Sequence, residues 1–269
     1  MSLAQTAEKL RAILRRDLLT AIRYRTGFAI TAAGTLVELA AFYYLARAIG
    51  PDFRPNGVAY FPFLLVGTGL YTFLVMGMGA FVRVVQDAQQ TGTLEVLMTC
   101  STPAPTVVML SAASVLAGNM LQLFFYVGLG MFLFGVPLHG ASLFASLIVL
   151  GLSVVIVIAL GMVAAALQIA IQKGSAVLWL FGSGAWFLTG TLFPIETLPK
   201  PLQWVSAAIP LTHSLRAMRM ALLQGSSVSA VAPDVSFLAL SSLVLLPVGL
   251  LTFSFCLQRA RRQGTLSFF

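Results

Sequence analysis

Apolar runs of about bilayer length alternate with short polar breaks from residue 26 to near the end of the chain. They lie at about 26–46, 58–81, 106–134, 142–171, 176–192 and 235–257. Each reaches or approaches the ~20 residues a helix needs to cross the hydrocarbon core. Only helices and closed barrels satisfy their backbone polar groups in lipid, and runs this long and continuous read as helices. The pattern therefore predicts an all-α polytopic membrane protein, with a single six-helix transmembrane domain over 26–269 and a separate segment over 1–25.

That segment is too charged to span. Leu3, Ala7, Leu10, Leu14, Leu18 and Ala21 recur at helical spacing, while Lys9, Arg11, Arg15, Arg16, Arg23 and Arg25 mostly occupy other faces. This is the pattern of an amphipathic helix lying on the cytoplasmic membrane surface. A plain positive-inside anchor would account for the same charges. A cleavable signal peptide is not expected, because the apolar run begins only at residue 26 and then continues for a full span.

The long polar interruption in the first half is 83–103, RVVQDAQQTGTLEVLMTCSTP, which carries Arg83, Asp87, Glu95 and the glutamines Gln86, Gln89 and Gln90. It cannot lie in lipid and reads as a short interfacial helix. Leu94, Leu97 and Met98 form its apolar face, with Glu95 and the glutamines facing elsewhere and Pro103 and Pro105 ending it. A second irregular region spans about 193–225. It contains Pro194, Pro199, Pro201 and Pro210, and its apolar pieces are too short to cross. Two short helices dipping part-way into the membrane are expected there, packed against protein.

Six spans place both termini on one side. That side holds eleven of the sixteen Lys and Arg residues, against five at Arg47, Arg54, Lys200, Arg216 and Arg219. The bias puts the termini and 83–103 in the cytoplasm and the 193–225 region outside. Composition agrees with the class: 59% of the 269 residues are hydrophobic and 9% charged, with a mean hydropathy of +0.95, far from a soluble domain. In this class the net charge of +8 reports loops facing anionic lipid rather than a nucleic-acid partner.

Candidate chemistry is sparse. None of the three lysines, Lys9, Lys173 and Lys200, follows glycine, so the phosphate-cradling loop of a nucleotide site is missing. If ATP drives this protein, another chain binds it. Two cysteines far apart, Cys100 and Cys256, and two histidines, His139 and His213, in separate loops offer neither a disulfide framework nor a metal site. Gly182-Ser183-Gly184 with His213 downstream raises an intramembrane serine hydrolase, but small residues within a span are more simply a packing face. Paired carboxylates find no support, since Glu196 and Asp234 have no close partner in sequence. Gly67, Gly69, Gly77 and Gly79 permit close helix approach, and Asn119 and Gln122 one turn apart read as interhelical hydrogen bonding. Glu38, near the middle of the first span, is costly in lipid and must face protein or water. It is either part of a transport path or a clamp between helices.

Two motifs carry a resemblance. Gly92-Thr93-Leu94-Glu95, followed by Leu97 and Thr102-Pro103, lies between spans two and three. Phe193-Pro194-Ile195 with Leu198-Pro199, then Trp204, Ile209-Pro210-Leu211, Arg219 and Leu222-Leu223-Gln224-Gly225, precedes the last span. With this topology the chain resembles the permease subunits of type 2 ATP-binding cassette (ABC) exporters. The resemblance implies a half-transporter in the cell inner membrane that dimerises, with a second copy of itself as the expected partner, and that binds a separate cytoplasmic ATPase carrying the ATP and Mg. It makes 83–103 a coupling helix, with Gly92, Thr93, Leu94 and Glu95 contacting that ATPase. It makes 193–225, with Pro194, Pro199, Pro210 and Arg219, the extracellular re-entrant helices at the exit. It also implies efflux of a hydrophobic or amphiphilic substrate such as a drug, antibiotic or lipid, with lipid-linked polysaccharide as the alternative. Outside the family, an ion-coupled secondary transporter using Glu38 is the rival, although no internal repeat supports it.

Overall fold

The computed structural model describes residues 25–92, 104–136, 140–171, 179, 182 and 184–263. Among these residues the α-helices with described bounds run in order α1 (Arg25–Ile49), α2 (Tyr60–Gln90), α3 (Ala104–Phe134), α4 (Leu143–Ile171), α5 (Lys200–Ala208), α6 (Pro210–Leu223) and α7 (Ala232–Gln263). Among the described residues no strand is formed. Five of these helices, α1, α2, α3, α4 and α7, are long and apolar enough to cross a membrane, so the protein is an all-α multi-pass membrane protein. The expected fifth span is described only in part. It is helical over 184–188 and ends in a turn at Thr189 and Gly190, before the expected limit at residue 192.

α2 is the buried axis. Most of its length is covered, whereas α1 and α7 present most of their surface outward. Phe63, Leu64, Leu65, Leu70, Leu74 and Phe81 are almost fully buried on it, and α3, α4 and α6 pack around it. Glycine sets how closely the helices approach. Side chains would collide with Val157 and Leu116 at Gly77, with Phe81 at Gly161 and with the Ala159 carbonyl at Gly249. These contacts are the close packing expected of small residues in spans. The most extensive pairing is α4 with α7, and it is there that Gly249 meets Ala159.

The described part of the 83–103 stretch departs from the expected interfacial helix. α2 continues without a break through Arg83 to Gln90. The reason is that Val85, Ala88 and Gln89 keep facing protein: all three are buried, and Gln168 on α4 donates to the Gln89 side-chain oxygen at 3.2 Å. Gln89 thus belongs to the packed face rather than to the polar one. The helix stops at Thr91 and Gly92, where Gly92 adopts a left-handed φ of 66°, a conformation glycine takes at low cost. Thr93, Leu94 and Glu95 lie outside the described residues, as do the amphipathic segment over 1–24, Lys173, His139, Cys100 and Ser183.

At the opposite end of the bundle the connections converge. Gln224 donates to the Asn56 carbonyl at 3.0 Å, the Ser142 amide to the Ala221 carbonyl at 2.9 Å, and the Tyr60 hydroxyl to the Leu192 carbonyl at 3.1 Å. The loops after α1, after α3 and around 189–199 therefore gather about α6, which is the arrangement the even-odd order of the spans requires.

Candidate functional site

The two short helices expected between residues 202 and 223 are present as α5 and α6. They are separated at Ile209, whose extended backbone (φ −87°, ψ 118°) breaks the helix before Pro210. Proline occupies the first turn of both α5 and α6, where its missing N–H costs nothing. α6 is the amphipathic element. Leu211, Leu215, Ala217, Met218 and Ala221 are buried, and Ser214 accepts a 2.8 Å hydrogen bond from Ser153 on α4.

Three ionisable residues, His213, Arg216 and Arg219, follow one another at three-residue spacing on α6, and each has a different surrounding. Arg219 is 7% exposed. Its Nε donates to the Phe63 carbonyl at 3.1 Å, Nη1 to Gly190 at 2.7 Å and Nη2 to Thr191 at 2.8 Å. The guanidinium carbon lies 3.5 Å from the centre of the Phe63 ring, a cation–π stack. Arg219 therefore joins α6 to the start of α2 and to the turn at Thr189 and Gly190. No carboxylate pairs with it among the described residues. Burial pushes its pKa down to about 9, which still leaves it charged at neutral pH.

Arg216 is half exposed and grips Asp234 at the start of α7, with Nε 2.9 Å from Oδ2 and 3.1 Å from Oδ1. These hydrogen bonds raise the Arg216 pKa. His213 Nδ1 lies 2.6 Å from Asp234 Oδ1, and Nε2 lies 2.9 Å from the Ala207 carbonyl. Both neighbours offer acceptor oxygens, one to each ring nitrogen. The ring also stacks on Phe237 at 4.0 Å. The expectation that His213 sits in a loop is corrected: it is part of a helix and locks α5, α6 and α7 together. Asp234, which has no partner nearby in sequence, finds two in space. With both ring nitrogens engaged, His213 is not a free base for a serine nucleophile.

A cavity of about 230 Å³ opens beside this cluster, lined by Arg219, Arg216, Thr212, Glu196, Asn56 and Gln224 among others. Pro194 also lines it, whereas Pro199 and Pro210 act as helix starters. Among the described residues no group of three or more His, Cys, Asp or Glu side chains is placed to hold a metal ion.

Glu38 on α1 is exposed and lies near Tyr126 on α3. The Tyr126 hydroxyl meets Thr68 on α2 at 2.9 Å. That hydrogen bond ties α3 to α2 beside Glu38. Asn119 and Gln122 line a small cavity of about 20 Å³ beside Tyr126 and Thr72. The Asn119 amide nitrogen is buried there and has no hydrogen-bond partner among the described residues, so among these residues that group does not make the expected interhelical bond.

Five described helices of membrane-crossing length, a buried central span and a short amphipathic helix packed against it define a multi-pass membrane domain. The sequence signature of the ABC-2 type transporter family matches residues 8–223, and the chain belongs to that family. It is a transmembrane subunit of an ABC transporter. No curated protein matches the chain.

Proposed function

We propose that this chain is the permease of an ATP-driven exporter that moves a hydrophobic or amphiphilic substrate outward across the cell inner membrane. It works as a homodimer with a separate cytoplasmic ABC ATPase, which carries ATP and Mg. The observation that supports this reading most directly is the continuity of α2. At one end Phe63 and Gly67 touch Arg219 of the re-entrant region. At the other the helix delivers Gly92-Thr93-Leu94-Glu95 beyond its cap. A 31-residue helix spans about 46 Å at ~1.5 Å per residue, longer than the hydrocarbon core. A push on the Gly92 end by a closing ATPase is carried as a rigid-body movement to the exit.

In this reading both termini are cytoplasmic, the amphipathic segment over 1–25 lies beside the ATPase, and Glu95 makes a polar or ionic contact with it. The substrate class is supported by an apolar groove of about 350 Å³ lined by Leu70, Phe124, Met131, Leu147 and Met218 among others. Such a groove suits an acyl or polycyclic body better than a glycan.

The test is co-purification of the tagged permease with the ABC ATPase encoded beside it, followed by ATP hydrolysis and transport assays. Glu95→Arg should leave membrane insertion intact and should weaken ATPase association or uncouple hydrolysis from transport. A permease that purifies and transports without any ATPase, or an Glu95→Arg variant with wild-type coupling, refutes the assignment.

The position of Glu38 beside the hydrogen-bonded pair Tyr126 and Thr68 favours a second reading, an ion-coupled carrier using Glu38. Dependence of transport on a pH gradient in the absence of ATPase distinguishes it.

A further inference from the structure

The cavity beside α6 combines three features that packing alone does not require. The first is charge. Arg219 is buried and keeps a full positive charge surrounded by carbonyl dipoles and an aromatic ring, which spread that charge without neutralising it. An unpaired charge away from water is among the costliest groups a protein can hold. Three of its five N–H donors reach carbonyl oxygens, leaving two for another acceptor.

The second is an orphan hydroxyl. Thr212 is 4% exposed, its Oγ1 has no hydrogen-bond partner among the described residues, and the residue lines the same cavity. Most threonines at such helical positions bond the preceding turn, as Thr68 does with Leu64 and Thr189 with Ala185. Leaving a buried hydroxyl unmade costs about 1–3 kcal/mol, so an absent partner is implied. The third is space. At about 230 Å³ the cavity is many times the roughly 10–15 Å³ that one water needs. Arg216 and Glu196 line the cavity too, but Arg216 is charge-matched by Asp234 and the exposed Glu196, which leaves Arg219 as the lining cation without a carboxylate among the described residues.

We propose that this cavity binds an anionic group, a phosphate or carboxylate, charge-paired with Arg219 and hydrogen-bonded by the Thr212 hydroxyl. The anion is either the headgroup of an amphiphile or a free ion from the outer solution. In the first form it rests on the exporter reading and narrows its substrate class to acidic amphiphiles held at the exit.

The test is direct binding to the full-length chain in an uncharged detergent, by calorimetry, with no ATPase and no transport step. Its failure therefore leaves the exporter reading untouched. The probes are dihexanoylphosphatidate, inorganic phosphate and, as the uncharged analogue with the same tails, dihexanoylglycerol. We expect dihexanoylphosphatidate to bind at least tenfold more tightly than dihexanoylglycerol. Thr212→Val should weaken it by about tenfold, the loss of one hydrogen bond to a charged group. Thr212→Ser, which keeps the hydroxyl, should restore it. Because the Thr212 hydroxyl has no partner among the described residues, Thr212→Val should fold normally, and its thermal unfolding serves as the check. Arg219→Lys keeps the charge but loses the fork and should weaken binding as well. Phosphate binding as tightly as the phosphatidate assigns a free-ion site, and phosphatidate alone assigns a headgroup site. Equal binding of phosphatidate and dihexanoylglycerol, or anion affinities unmoved by Thr212→Val, overturns the proposal.

Discussion

Replacing glycine by alanine inside a helix ordinarily stabilises it by about 0.5–1 kcal/mol, because glycine loses more backbone freedom on folding. At Gly67 the sign should reverse. A Cβ there would collide with Nη2 of Arg219 and lie 2.8 Å from the Thr191 carbonyl oxygen. The guanidinium is a side-chain end that could in principle move aside. Here it is pinned by three carbonyls and the Phe63 ring, and the carbonyl of Thr191 is backbone. Any accommodation must break or lengthen at least one hydrogen bond to a charged group, worth about 1.5–3 kcal/mol. Set against the gain in helix propensity, the net effect is a destabilisation of about 1–2 kcal/mol. At a few degrees per kcal/mol for a domain of this size, Gly67→Ala should lower the apparent melting temperature in detergent by roughly 2–8 °C, read from tryptophan fluorescence. Gly151→Ala on α4 is the control. It is exposed and its Cβ would meet nothing within 4 Å, so it should unfold at or slightly above the wild-type temperature. In an Arg219→Ala background the penalty at Gly67 should largely vanish, since contacting residues couple. A Gly67→Ala protein as stable as Gly151→Ala would refute the tight seat assigned to Arg219.

Two further outcomes test other contacts. Asp234→Asn keeps the shape but removes the charge that holds His213 and Arg216. Because Arg216 is half exposed the pair is discounted to about 1–3 kcal/mol, seen as a melting temperature lower by about 2–12 °C, and an unchanged value would mean the cluster is not what locks α7 to α6. Glu38→Gln keeps a hydrogen-bonding group for Tyr126; transport by reconstituted vesicles should survive unchanged if Glu38 is a clamp, and its loss would assign Glu38 to the pathway.

The sequence reveals spans well and their partners poorly, for a physical reason. A bilayer imposes a length and an apolar composition on every crossing helix, and these are local properties of the chain. So the limits expected for the third and fourth spans fall within two residues of α3 and α4, and the proline-broken region resolves into α5 and α6 as its punctuation implies. The end of α2 was misjudged because Arg83, Asp87 and the glutamines look like a departure from the membrane. The apolar positions between them, Val85 and Ala88, continue the buried face of α2 at helical spacing and could have been followed. The Asp234 cluster was not legible, since its members lie 18 and 21 residues apart and meet only because α6 folds back on α7. A faint signal existed in His213, Arg216 and Arg219 at three-residue intervals, which places three ionisable side chains on neighbouring faces of a helix otherwise seated in protein. The role of Gly67 was anticipated as packing, but its neighbour is a guanidinium rather than another helix, and nothing local to Gly67 could disclose that.

The placement of Arg219 also constrains how motion can pass through the molecule. Pro62, the one proline in α2, sits in its first turn, where no helical hydrogen bond is lost, so the helix has no built-in kink between Phe63 and Gln90. Its surroundings are packed against α3, α4 and α6, which makes it poor at bending and suited to moving as a unit. Arg219 is attached to the moving end through the Phe63 carbonyl and ring, and to the fifth span's terminal turn through Gly190 and Thr191. Contacts of 2.7–3.5 Å do not survive a relative shift of an ångström or more, so displacement of α2 must either drag α6 with it or release Arg219 from one of its two seats. Either event reshapes the cavity that Arg219 lines. The same side chain that fixes the resting geometry is thus the one whose release would let go of an anion held there, which ties occupancy of that cavity to the position of the Gly92 end of α2.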